Sequence, residues 1–479
     1  MLRLSTVAAP VSTTPQNTKP KRFAIRQPCP PAPHPAHHPC AAPAVSLEAS
    51  FKTKAVLSSV SKVTVDGPSP AVVARMLAED KNNTAHTKVL RIGLEVPVAA
   101  SLADFTQDSV PDGSIYRMAF TSPDALGMGI NFAAYAMPDG ASMFIMSEQP
   151  TVANDVRGSF TWENEKHYGG LSVMPVSGDT VVVEVHVPTG TALPTVVLQS
   201  VTHHYKPTMF PHLKGPECFG CSGDCNLNVA CTLGDNFGNE IDGVTRLLTA
   251  GGGTLCSGSL INNVEADGRQ LYLSADHCGG GNADGWILMF NFQSTTCEND
   301  EIPARDQTVS GTRLLARRGA SDFVLLEVAE VIPAEYNAYM NGFDAAVGDM
   351  FDEPLTISHP SGDMKKIGIF GGNAIPSGYF NAGDTHWFVG AWDEGMTEGG
   401  SSGSPVFDDK RHIRGQLHGG FASCAFPYTD YYGRTSISWD QGEGDEQNLA
   451  PWLDPQGTGE RIVDGMSLAD ARANAASKK

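Results

Sequence analysis

The chain has 479 residues, 41% of them hydrophobic and 18% charged, with a formal net charge of −20. That length calls for more than one domain, and the acidic balance argues against nucleic acid, whose phosphates want basic patches. No apolar run is long enough to span a bilayer, so a membrane is not an expected partner either.

Residues 1–50 are rich in Pro, Ala, Ser and Thr and read as a disordered leader, because such a segment cannot bury a core. Cys29, His34, His37, His38 and Cys40 invite a metal reading, but disorder is the plainer one. A secretory signal is not clearly recognisable: Met1 to Val11 carries one basic residue, and Pro10 breaks its short apolar patch. The first acidic residue is Glu48, after Arg3, Lys19, Lys21, Arg22 and Arg26. That balance is slightly transit-peptide-like, and a low-complexity leader explains it equally well.

Residues 51–210 form a second unit with recurring strand-like runs. These start at Val89, Ser114, Ala141, Thr180 and Thr195, with turns at Asp139-Gly140 and Ser177-Gly178-Asp179. Short strands at this spacing predict a β-sandwich. Asn82-Asn83-Thr84 is a glycosylation sequon. Lys206 to Gly223 holds Pro207, Pro211 and Pro216 and reads as linker, with its core at 211–223. From Ile241, short apolar runs alternate with Gly, Asn and Asp turns through a domain taken as 224–466. Glu446 to Trp452 predicts a short helix, and the Ala-rich tail 467–479 is expected to fray.

Of 10 cysteines, eight lie between Cys218 and Cys424, which favours disulfides and an oxidising compartment. Zinc competes at Cys218-x-x-Cys221, but no second pair stands at ligand spacing with a histidine.

The chemistry concentrates at Gly400-x-Ser402-Gly403-x-Pro405. Serine is a poor nucleophile unless bent backbone and a neighbouring base activate it. Glycines allow the bend, and the N–H groups of Gly400 and Ser402 fit an oxyanion hole. Upstream, Leu273-Ser274-Ala275-Asp276-His277-Cys278 delivers a histidine at a strand end, and Asp322 stands at the mouth of the apolar run Phe323 to Leu326. The order His277, Asp322, Ser402, with gaps of 322 − 277 = 45 and 402 − 322 = 80 residues, suits a Ser-His-Asp triad on a double β-barrel.

On these residues the chain resembles trypsin-fold serine endopeptidases, and among them the lysyl endopeptidases. The match includes Thr397-Glu398, Gly415-Gln416-Leu417-His418-Gly419-Gly420, Thr429-Asp430-Tyr431-Tyr432-Gly433-Arg434 and Trp452-Leu453-Asp454-Pro455. It covers roughly residues 223–465, about half the chain. The implied fold is all-β: a chymotrypsin-like double β-barrel protease domain preceded by a β-sandwich-like pro-domain. Precursors of the family carry a propeptide of similar look, including Val156-Arg157-Gly158-Ser159-Phe160-Thr161. A permanent binding domain, such as a carbohydrate module, is the rival reading of that unit.

The resemblance further implies that Asp430 binds the substrate lysine and that His418 stacks on a tryptophan beside the triad, for which Trp392 is the candidate. It implies disulfides Cys225–Cys424, Cys231–Cys297 and Cys256–Cys278. The expected activity is a secreted serine endopeptidase cutting after lysine in protein or peptide substrates. It is expected to act as a monomer with no metal or cofactor. Lys214 is the expected self-processing site, since Lys206 precedes Pro207. Met396 occupies the position six before Ser402 where many trypsin-like enzymes carry their pocket acid. Ser401 replaces the aspartate that a new N-terminal ammonium would dock on, which makes the pro-domain the expected control element. The alternatives are a Glu-specific protease using His418, a broader basic-specific protease, and a catalytically silent binding protein of the same fold.

Overall fold

The computed structural model describes residues 44–47, 58–82, 86–148, 150, 155–210, 220, 222–299, 303, 305–379 and 383–478. The leader cysteines and histidines, Asn83 and Thr84 of the sequon, Lys214, Cys218 and Cys221 lie outside them.

The N-terminal unit is built on strands rich in β-branched residues, which fit a pleated, half-buried surface. Thr180–Pro188 is its central strand, pairing antiparallel with Gly113–Thr121 on one side and Ser142–Ser147 on the other. Val156–Phe160 extends that sheet beyond Ser142–Ser147. At the far edge Gly113–Thr121 is shared by Thr106–Val110 and Ser61–Thr64. The second sheet runs Gly93–Ser101, Thr195–His204, Gly127–Ala136 and Leu171–Ser177. Phe120, Ile130, Phe132, Val183 and Val201 fill the space between the sheets. Residues 44–47, expected in the leader, join this unit: Ala44 is buried, and the Ser46 N–H donates to Glu184 Oε1 at 3.0 Å. An apolar residue with a buried carboxylate partner holds what composition alone assigned to disorder.

The C-terminal domain holds two barrels. The first sheet orders Thr308–Ser310, Ile287–Met289, Val244–Leu248, Thr254–Leu260, Leu271–Ala275, Phe323–Val328 and Thr312–Arg318. Its two ends are consecutive in sequence and meet at Gly311, where φ is +86°. One strand bent at a glycine therefore closes six strands into a barrel. The second sheet closes likewise, with segments 351–358 and 366–377 pairing at both ends of its order. Between these ends lie Pro405–Phe407, Ile413–Gly420, Tyr428–Arg434 and His386–Ala391. Leu273, Phe323 and Leu325 of one barrel pack with Phe343, Ile357, Phe407 and Trp439 in a shared core. The structure closes the disulfides Cys225–Cys424, Cys231–Cys297 and Cys256–Cys278.

Three further expectations change. The Lys206 end of the linker is packed: Pro207, Thr208 and Met209 are buried, and the Lys206 ammonium lies 3.3 Å from Asp80. Met209 and Phe210 join Ile92, Leu248, Leu255 and Met289 in an apolar junction between sandwich and first barrel. The tail does not fray at 468–477. Leu468–Ser477 is a helix whose Ser467 cap accepts from Asp470, and Leu468 and Ala471 are buried. Thirdly, the run from Val89 to Leu94 is not one sandwich strand. Gly93–Ser101 stays in the sandwich, but Leu90–Arg91 pairs antiparallel with Thr254–Leu260 of the first barrel. Among the described residues no helix is long and apolar enough to cross a membrane.

Candidate active site

His277 lies in the turn Asp276–Cys278 directly after Leu271–Ala275, and Gly279 ends that turn at φ +103°. The Cys256–Cys278 disulfide ties the turn to the neighbouring strand. Asp322, at φ +55°, precedes the fully buried start of Phe323–Val328. The two strands are paired, so Asp322 Oδ1 receives the His277 backbone N–H at 3.0 Å and Oδ2 faces Nδ1 at 2.7 Å. On the other edge His277 Nε2 is 2.7 Å from Ser402 Oγ. A carboxylate on Nδ1 fixes the tautomer that leaves Nε2 free to accept a proton.

Ser402 sits in the loop before Pro405–Phe407, with Gly400 at φ +98° and Gly403 at φ +81°. A Cβ on Gly400 would meet the His359 carbonyl at 2.6 Å, so glycine is required there. The loop aims the Gly400 and Ser402 N–H groups at one oxygen. That oxygen is the carbonyl of Lys88, from the N-terminal unit, 3.3 Å from Ser402 N and also bonded by Gly400 N–H.

The Lys88 side chain enters a slot closed by Asp430. Its Nζ lies 4.0 Å from Asp430 Oδ1 and donates to the carbonyls of Ala422 at 2.5 Å and Thr397 at 3.4 Å. Asp430 is fully buried, and its Oδ2 accepts from Trp392 Nε1 at 2.8 Å and Thr397 Oγ1 at 2.6 Å. Burial pushes the Asp430 carboxyl up; the Lys88 charge and these hydrogen bonds pull against it.

Trp392 is thus a pocket residue, but it does not stack on His418. Its indole N–H is committed to Asp430. His418 instead lies on His277, with ring centroids 5.2 Å apart and 19° between planes, and Tyr379 covers it at 4.4 Å. His386 Nε2 stands 2.9 Å from His418 Nδ1, which itself is 3.7 Å from Asp322 Oδ2. Burial holds the His418 imidazole down at about 4 and that of His386 at about 3. Both rings are therefore neutral at pH 7.

Reading the sequence missed Lys88, His386 and Tyr379. A lysine beside an apolar run, in a chain expected to cut after lysine, was an available signal for Lys88. Nothing local marked the other two.

The lysyl endopeptidase C-terminal domain family matches residues 219–433. A lysyl endopeptidase of Pseudomonas aeruginosa is 29% identical over 245 residues, 47% of this chain and 52% of the relative. The chain is lysyl endopeptidase-like. It spans about half the length of that curated relative. Among solved structures, the protease Anisep from Arthrobacter nicotinovorans aligns at TM-score 0.32 and 17% identity, over 44% of this chain and 93% of its own. A thermostable serine protease, AL20, from an extremophilic microorganism aligns at TM-score 0.31 and 13% identity, over 41% and 92%. The lysyl endopeptidase-like match thus begins after the sandwich and takes in His277, Asp322, Ser402 and Asp430.

Proposed function

We propose that the chain is a serine endopeptidase that hydrolyses peptide bonds on the carboxyl side of lysine, made as a secreted precursor with the sandwich as its pro-domain. The observation that carries this reading is a lysine side chain ending at buried Asp430 while its carbonyl faces two N–H donors beside the Ser402–His277–Asp322 chain.

In the reaction, Ser402 Oγ attacks the scissile carbonyl as His277 Nε2 takes its proton. Gly400 and Ser402 N–H groups stabilise the oxyanion, a contribution worth ~3–4 kcal/mol per donor in comparable sites. Asp322 holds the imidazolium, which then protonates the leaving amine. Water repeats the sequence on the acyl-enzyme.

Lysine suits the slot better than arginine. Asp430 Oδ2 is already occupied by Trp392 and Thr397, leaving Oδ1 for the substrate. One carboxylate oxygen and two carbonyls match the three donors of an ammonium, whereas a guanidinium fork wants both carboxylate oxygens. The glutamate reading loses ground because His418 is neutral and faces Asp322 and His277, and because Asp430 would repel a carboxylate. Three disulfides support an oxidising compartment.

Matched reporter peptides ending in Lys, Arg or Glu test the reading, with Ser402→Ala as control. Turnover of the Lys peptide that vanishes in Ser402→Ala is expected. Preferred turnover of Glu, or none of any reporter, would overturn it.

A further inference from the structure

Lys88 does not occupy the slot alone; the chain on both sides of it runs through the cleft as a bound peptide would. On the acyl side Thr87 bridges antiparallel to Gly419, and the Gly420 N–H donates to the His86 carbonyl at 2.9 Å. The His86 ring packs on Phe421 at 4.1 Å. On the leaving side Leu90 pairs with Leu255 and Arg91 with Thr254. One strand therefore crosses from the second barrel to the first, and the carbonyl of its middle residue lies in the oxyanion hole.

Both flanks are anchored. Arg91 Nε donates to Asp80 Oδ1 at 2.8 Å and its Nη2 to the Met76 carbonyl at 3.1 Å, on the helix Pro70–Lys81 that leads into the cleft. Ile92 and Gly93 N–H groups both donate to the Gly253 carbonyl, at 2.9 and 3.0 Å. Tethering of this kind gives the segment an effective concentration on the order of millimolar or more, which an external peptide must outcompete.

We propose that residues 86–91 are the enzyme's own first substrate: the Lys88–Val89 bond is cut in cis by Ser402, and until it is cut the segment bars other peptides. The proposal rests on the proteolytic reading above and adds the bond and the order of events. Ser402 Oγ forms an ester with the Lys88 carbonyl carbon, and its proton passes to His277. The Lys88–Val89 C–N bond breaks as His277 returns that proton to the Val89 nitrogen. One water then hydrolyses the ester, giving a Lys88 carboxylate and regenerating Ser402. Arg91 and Asp80 still hold the two new ends near each other, so the cut pieces part slowly.

The test follows the full chain by intact mass and N-terminal sequencing, alongside Lys-reporter turnover. The wild type is expected to yield fragments ending at Lys88 and starting at Val89, at a rate independent of protein concentration, while Ser402→Ala stays whole. Lys88→Gln should lose the Val89 terminus yet turn over the reporter from the start, which also shows that it is folded. Val89→Pro should keep Lys88 in the slot, resist cutting, and hold reporter turnover at least about tenfold below Lys88→Gln. In the wild type, reporter turnover without a Val89 terminus would overturn the proposal and leave the proteolytic reading standing. So would a Val89 terminus in Lys88→Gln, or equal turnover in Lys88→Gln and Val89→Pro. Absence of both reporter turnover and self-cleavage would bring down the two together.

Discussion

His418 lies flat against His277, the ring centroids 5.2 Å apart, with its Nδ1 3.7 Å from the Asp322 carboxylate that orients His277. A neutral, half-buried ring in that position restrains the imidazole without adding charge beside it. His418→Ala is expected to lower kcat about tenfold with KM little changed, since the loss falls on the transition state rather than on binding. His418→Phe, which keeps the stack, should recover most of the loss. Steady-state kinetics of the two variants on a Lys peptide checks this.

Asp430 presents one oxygen to the lysine ammonium from a fully buried position. Removing one partner of such a pair costs ~2–5 kcal/mol, about 30- to 4,000-fold. Asp430→Asn should lower kcat/KM for Lys peptides by that order and spare an uncharged side chain of equal length. Comparing a lysine reporter with its norleucine counterpart measures the difference.

Gly400 cannot accept a side chain without displacing the His359 carbonyl, 2.6 Å from where a Cβ would sit. Gly400→Ala is expected to tilt its N–H away from the oxyanion and reduce kcat by about 100- to 1,000-fold. A thermal-unfolding comparison should show a smaller accompanying loss of stability.

The Cys256–Cys278 disulfide closes a loop across a sequence separation of 22 and fixes the turn that carries His277. Replacing both cysteines with alanine should cost ~3 kcal/mol of stability. Urea unfolding reads the stability, and kcat should fall with it, because the turn then wanders relative to Ser402.

Buried histidines predict acid sensitivity. Burial holds His204 and His386 at about 3 and His418 at about 4, against 6.5 when exposed, and lowers His359 as well. A depressed folded-state pKa means that the unfolded chain binds protons first as pH falls. Stability should be flat with respect to these groups above pH 6.5 and drop progressively toward pH 3. Urea midpoints measured across that range would show no such slope if these histidines charge freely in the folded protein.

Much of the site was readable because its geometry is made locally. Glycines at 400 and 403 allow positive φ at no steric cost, so the chain itself permits the bent loop around Ser402. The strand ends that carry His277 and Asp322 announced themselves as apolar runs, since paired β-strands bury alternate or continuous apolar faces. The double barrel was expected from the spacing of His277, Asp322 and Ser402 and from the family resemblance, and the two sheets close accordingly. Lys88 was different. Val89 to Leu94 looks like one strand, yet Leu90–Arg91 pairs with a barrel strand more than 160 residues away and Gly93–Ser101 with the sandwich. Which sheet completes a strand depends on edges that only the folded chain brings together. The same holds for Trp392, whose indole hydrogen went to Asp430, and for Tyr379, which took the place above His418. The residues alone determined the glycine-bent loop around Ser402 and the chain order His277, Asp322, Ser402, while the family resemblance pointed to Asp430. Tertiary structure decided what fills that slot and what covers the histidine, because those contacts join segments far apart in the chain.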